Sequence, residues 1–264
     1  MNLLKRALAP VPDVAWEKLD EDSREALAEH FTARRVVDFD GPHGAAFAAL
    51  NLGTVEPIDM GDGVVAGLRG VQPLLEVRVP FALSRRTLDD AARGAPDFDT
   101  SAAVAAARRL AELEDRAVLH GLARAGIRGL AEVSAHPSLA LGEDPYQYAD
   151  VVTRALLALD DAAVAGPYAL LLGSGPYRRL ASRAENYPPL SHLAKLLGGG
   201  PVLHSRVLEG GLLLSLRGGD FRLSVGQDAA LGYHAHDSER IELFFIESFT
   251  FLVLSPEAVV RLSA

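Results

Sequence analysis

Cysteine is absent from the 264 residues, which excludes disulfides, thiolate zinc sites and a cysteine nucleophile. Lysine is nearly absent: only Lys5, Lys18 and Lys195 occur. Almost all positive charge therefore sits on arginine, the side chain that forks two hydrogen bonds to a carboxylate and is favoured at protein interfaces. None of the three lysines follows a glycine, so no Walker A loop is present. Basic blocks are missing too. The 26 basic residues are spread among 35 acidic ones for a net charge of −9, which lacks the electrostatic footprint of a nucleic-acid partner. No apolar run is long enough for a membrane span, and "MNLLKRALAPVPDVAW" has its apolar and basic residues in the wrong order for a signal peptide. The expectation is a cytoplasmic protein without a membrane partner.

What is present is enough apolar surface for a sizeable core, at 49% hydrophobic residues, in a length that fits one elaborated domain or two tightly joined ones. From Asp13 to about Arg34, Trp16, Leu19, Ala26, Leu27 and Phe31 fall at helical spacing, with Asp13 a candidate N-cap. Leu52 to Arg69 reads as two extended arms around Gly61-Asp62-Gly63, a turn suited to positive φ. Leu75, Val77, Val79, Phe81 and Leu83 alternate with less apolar residues, a strand period of two. Pro80 places that strand at an edge or a bulge. Asp99 to Gly121 carries a broad stripe of small apolar side chains at helical spacing. Glu114 lies inside that stripe, so it is either paired or at an interface. Beyond His136 the pattern turns to an α/β mixture: a helix over about Pro145 to Asp160, a buried strand "YALLLG", a short helix from Pro176, and a hairpin "GGLLLSLRGGDFRLSVG" turning at Gly218-Gly219.

Candidate chemistry is thin. Gly173-Ser174-Gly175 follows a buried strand, but Arg178 stands where a dinucleotide fingerprint needs its third glycine, and Pro176 removes a backbone donor. Proline in a first helical turn explains the stretch better. No serine has the flanking glycines of a nucleophile elbow. None of the eight histidines begins a zincin motif. On a regular strand His234 and His236 share a face while Asp237 points away. Two histidines without a third ligand read as surface or interface groups, not a metal site. No catalytic residue is assigned.

Taken in order, "MNLLKRALAPVPDVAW", "ARRVVDFDGPHG", "VPFALSRRTLDDAARG", "ELEDRAVLHG" with "GIRGL", "GPYALLLG", "RGGDFRLSVGQDAALGYHAHD" and "ESFTFLVLSPEA" resemble the corresponding stretches of the linocin-like, family 1 encapsulin shell proteins over essentially the whole chain. The resemblance implies an α+β, HK97 major-capsid-like fold with a peripheral domain, an extended loop and an axial domain. Mapped onto this sequence, residues 1–48 hold the N-terminal helix and the start of the peripheral domain, and residues 49–83 the extended loop. Residues 84–135 hold the peripheral domain with its spine helix, residues 136–226 the axial domain, and residues 227–264 the return to the peripheral domain. It also implies a non-enzymatic function, the closure of about sixty copies or a multiple into a hollow icosahedral shell. The shell captures a dye-decolorising peroxidase or ferritin-like cargo through the cargo's C-terminal targeting peptide, and a phage-type capsid protein of the same fold is the alternative. Carried over residue by residue, Leu27, Phe31, Arg34, Asp38, Leu231 and Tyr233 are the expected cargo-peptide contacts. Asn186 and Tyr187, with His192 nearby, are the expected lining of a five-fold pore. The flavin that some members hold on an aromatic residue is not expected, because Arg86 stands at that position.

Overall fold

The computed structural model describes residues 3–95, 98–181 and 189–264. After a short N-terminal turn come helix α1 (Asp13–His30) and strands β1 (Asp38–Asp40), β2 (Ala49–Asp59), β3 (Val65–Pro73) and β4 (Leu75–Ser84). Helices α2 (Arg85–Ala92), α3 (Ser101–His120) and α4 (Leu130–Val133) follow. The middle of the chain holds β5 (Leu139–Ala140), α5 (Tyr148–Asp161), β6 (Tyr168–Gly173), α6 (Ser174–Ala181), α7 (Pro189–Leu196), β7 (Val202–Ser205) and β8 (Gly211–Ser215). Last come β9 (Phe221–Val225), β10 (Ala230–His236), β11 (Arg240–Val253) and β12 (Val259–Ser263).

The strands form two five-stranded sheets and a separate two-stranded ribbon. In the first sheet β11 is the backbone. Strand β4 runs antiparallel along one of its edges, while β10 and then β9 occupy the other, with β1 parallel outside β9. The alternation read in the sequence of β4 is realised: Val77, Val79, Phe81 and Leu83 are buried and the residues between them exposed. These inward side chains meet α3, whose small residues Ala103, Ala106, Ala107 and Ala111 let it lie close against the sheet, and α1 packs on α3 in turn. Pro80 is tolerated because β4 is an edge strand with β11 as its one partner. The second sheet has the order β5-β12-β8-β6-β7, and α5, α6 and α7 pack against it. Strands β6 and β8 are apolar and buried along nearly their whole length, as a central position with both faces covered requires.

Three expectations change. Helix α1 stops at His30 and not near Arg34, because the backbone N–H groups of Thr32 and Ala33 donate to the Asp115 carboxylate instead of to the carbonyls four residues back. The segment around Gly218-Gly219 is not a hairpin. Both glycines take positive φ as a turn demands, but β8 enters the second sheet and β9 the first. The turn is fastened elsewhere, with the Gly219 N–H donating to Asp38 and Arg217 forking onto Asp220. The expected boundary between residues 226 and 227 does not coincide with a division between sheets either. Strand β9, within 136–226, belongs to the sheet of α3, and β12, within 227–264, pairs with β8 and β5.

Candidate functional site

The end of α1 is held to the rest of the molecule by acids of α3. Thr32 and Ala33 donate their amides to Asp115 at 3.0 and 2.8 Å. That fixes the next residue, Arg34, over Glu114, the acid that the sequence places inside the apolar stripe. Arg34 Nε and Nη2 donate to the Glu114 carboxylate, Nη2 also to Glu247 of β11, and Nη1 to Asp228 at 2.9 Å. Four of its five N–H donors are thereby committed. The ring of Phe31 lies 3.7 Å from the guanidinium carbon and that of Phe39 4.9 Å away, so the cation is sandwiched as well as paired. Burial by itself lowers the pKa of Arg34, but its hydrogen bonds to Glu114 and the charges of Glu114, Glu247 and Asp228 hold it above its ordinary value. Glu114 and Glu247 are fully buried, and burial pushes both carboxyl groups upward, with Arg34 opposing the shift. Burial likewise pushes Asp115 up to about 7, against the pull of the Ala33 and Thr32 amides.

The six expected peptide contacts are not one cluster. Leu27 is half-buried against the core, while Phe31 and Arg34 form the stacked pair just described. Leu231 and Tyr233 lie on β10 with side chains buried at 4% and 8% exposure, and the N-terminal segment covers the strand, the Tyr233 amide donating to the Leu4 carbonyl. Asp38 stands apart. It pairs with Arg222 opposite Leu252, whereas Leu231 pairs with Phe245, roughly 20 Å back along β11 at the usual rise per strand residue. Its carboxylate is occupied by the Gly219 amide at 2.7 Å. Arg34 thus has a structural task that sequence reasoning missed, and the only hint was the burial forced on Glu114.

Asn186 and Tyr187 lie outside the described residues. His192 is half-buried on α7. His234 and His236 do not share a face as a regular strand predicts. A bulge between Tyr233 and Ala235 shifts the register. It sends His234 to the sheet surface beside Arg78 and Phe244, and turns His236 back to the Tyr233 hydroxyl at 2.5 Å. Asp237 shapes the β10–β11 turn by accepting the Glu239 and Arg240 amides, both at 2.7 Å. Among the described residues no cluster of three metal-ligating side chains forms. Arg86 faces a cavity of about 940 Å³ at the start of α2, shared with Arg85, Asp89, Glu239 and Arg240. Its described lining residues include no aromatic ring.

Among the described residues the ribbon of β2 and β3 pairs with no other strand. It nevertheless displays Val55, Met60, Val64, Val65 and Leu68, with Val65 at 96% exposure. A lone two-stranded ribbon is marginal in water, and a patch of this kind marks a protein contact.

A family model described as "Encapsulating protein for peroxidase" matches residues 1–250. Type 1 encapsulin shell proteins of Rhodospirillum rubrum and Brevibacterium linens are 43% and 40% identical to this chain, covering 99% and 100% of it and 96% and 100% of their own lengths. The chain belongs to the encapsulin shell-protein family. Encapsulins are named as shell components and not as enzymes, which agrees with the thin chemistry of the sequence, and a phage-type capsid protein of the same fold is the weaker reading beside relatives this similar. In fold, this encapsulin is similar to a virus-like particle from Pyrococcus furiosus, with a TM-score of 0.67 at 17% identity over 93% of this chain and 98% of that one. It is also similar to the capsid of an empty GTA particle, with a TM-score of 0.59 at 16% identity over 89% of this chain and 90% of that one. The encapsulin fold is accordingly the HK97-like capsid fold.

Proposed function

We propose that about sixty copies of this chain, or a multiple, close into a hollow icosahedral shell that lies in the cytoplasm and captures cargo enzymes by their C-terminal peptides. The observation that carries the assembly is the β2–β3 ribbon. Its apolar residues are left exposed by the described residues of the chain, and a neighbouring copy covers them. Among the described residues no helix is long and apolar enough to cross a membrane.

For cargo, half-buried Leu27 and the edge of the buried Phe31 ring supply the apolar contact that an extended peptide needs. Arg34 holds this surface in place, with one donor left for the peptide. Leu231 and Tyr233 contribute where the N-terminal segment leaves them accessible, and Asp38 is the weakest member of the set. A peptide that buries a few apolar side chains binds weakly alone and firmly in many copies. The family description favours a peroxidase over a ferritin-like protein as the cargo. His192 is the proposed contribution of α7 to a five-fold opening, and Asn186 and Tyr187, outside the described residues, are kept as candidates beside it. Flavin is left out of the proposal on account of Arg86.

The cargo assignment is tested by co-expressing the shell with a fluorescent protein that carries the C-terminal tail of a peroxidase encoded in the same genome. Fluorescence is expected to travel with the particle, and Phe31→Ala or Leu27→Asp is expected to reduce the load at least several-fold. Particles that exclude the tailed protein, or load it equally after both substitutions, contradict the assignment.

A further inference from the structure

We infer that Glu247 carries a proton that it shares with Glu114, and that release of this proton sets two buried carboxylates against each other and loosens the segment tying α1 to α3. Both carboxyl groups are fully buried around one guanidinium, and with both ionised the Glu247 Oε2 atom has no hydrogen-bond partner. An orphaned buried oxygen of that kind is rare and costly. A proton on Glu247 turns the orphan into a donor toward Glu114 and cancels a charge for which Arg34 has no second unit to give. Asp228 also bonds Arg34, but its side chain is 40% exposed, so water screens it.

Among the described residues the neighbouring elements offer no second cation. Helix α3 brings Asp115 beside Glu114, a further acid, held by the Thr32 and Ala33 amides. Strand β4 places Val77 opposite Glu247, while Glu76 and Arg78 point to the other face of the sheet and pair with each other. Strand β1 gives the ring of Phe39, and α1 gives buried His30, whose Nδ1 lies 2.8 Å from the Ala26 carbonyl. Burial first, and the Glu114 charge second, push the Glu247 carboxyl well above its usual range. The direction of that shift means that the folded chain holds its proton to higher pH than the unfolded chain, whose ordinary value is 4.5. The stability linked to this pair is complete below that pH and is lost as pH rises through the folded value. Glu247 and Glu114 are thus positioning residues for the end of α1, acting through Arg34.

The test uses the purified assembled protein and its Glu247→Gln variant, whose neutral amide keeps a donor toward Glu114. Thermal midpoints are measured from about pH 5 to about pH 9. Above about pH 8, past the Asp115 value of about 7, the wild-type midpoint is expected to fall with pH and the variant's to fall by less than half as much; parallel falls in the two proteins there would overturn the proposal. Infrared spectroscopy gives an independent reading should the variant fail to fold. At about pH 8, past the Asp115 value of about 7, the wild type is expected to show the carbonyl band of a buried protonated carboxyl group, which fades on further alkaline titration together with protection of the Thr32 and Ala33 amides from exchange. A wild type without that band, or whose amides keep their protection as it fades, contradicts the inference.

Discussion

Arg34 shows how one cation can organise three segments distant in sequence. It meets Glu114 80 residues on and Glu247 213 residues on, and its removal leaves those acids buried without a partner. Breaking a buried ion pair from one side costs about 3–5 kcal/mol, so Arg34→Ala is expected to lower urea stability by that order. Arg34→Lys is expected to recover only part of it, because an ammonium cannot reproduce the fork. Asp115 gives a separate pH window. Its carboxyl group titrates near about 4 when unfolded and is pushed to about 7 by burial in the folded chain. Stability from this group is full below the lower value and declines as pH climbs to the upper one. Asp115→Asn is expected to flatten that stretch of the stability curve, as measured by urea unfolding at a series of pH values. A variant that declines as steeply as the wild type would remove Asp115 from the account.

The individual strands and helices were mostly readable because their burial is local and periodic. Strand β4 announces itself by alternation, and α3 by its stripe. Pairings between elements were not readable. The Gly218-Gly219 turn suits a hairpin as well as a switch between sheets, and only the Asp38 and Asp220 contacts decide it. The bulge that parts His234 from His236 left no composition signal. The cargo-peptide set was legible as a resemblance, yet its members reach different parts of the first sheet, a separation set by register that no spacing reveals. At the end of α3, close backbone approach is the constraint: a Cβ on Gly129 would stand 2.1 Å from the Gly121 nitrogen. Gly129→Ala is expected to force the loop off the helix end at a cost of about 1–3 kcal/mol, read as a lowered thermal midpoint. The ribbon behaves in the opposite way. Val65→Asp with Leu68→Asp alters side chains that face solvent within the chain, so the unassembled fold should change by no more than about 0.5 kcal/mol. Assembly, read by light scattering, is expected to fail. Particles that form normally would show that the ribbon is not the contact.

The whole chain spends much of its design on surfaces it does not complete alone. Its core joins two sheets and their helices, while the β2–β3 ribbon stands outside with apolar side chains uncovered. Such an arrangement is costly in a monomer and productive in a closed assembly, where every copy both offers and receives the same contact. The encapsulin family and the capsid-like fold fit this picture, and the absence of a convergent catalytic constellation among the described residues ceases to be a puzzle in a wall. The most direct test is the native mass of the purified protein, with electron microscopy of the same sample. The account predicts hollow particles of about 1.7 MDa, sixty copies of a 28.1 kDa chain, or a multiple of that mass. A stable monomer or small oligomer at neutral pH, with the ribbon still exposed, would contradict it.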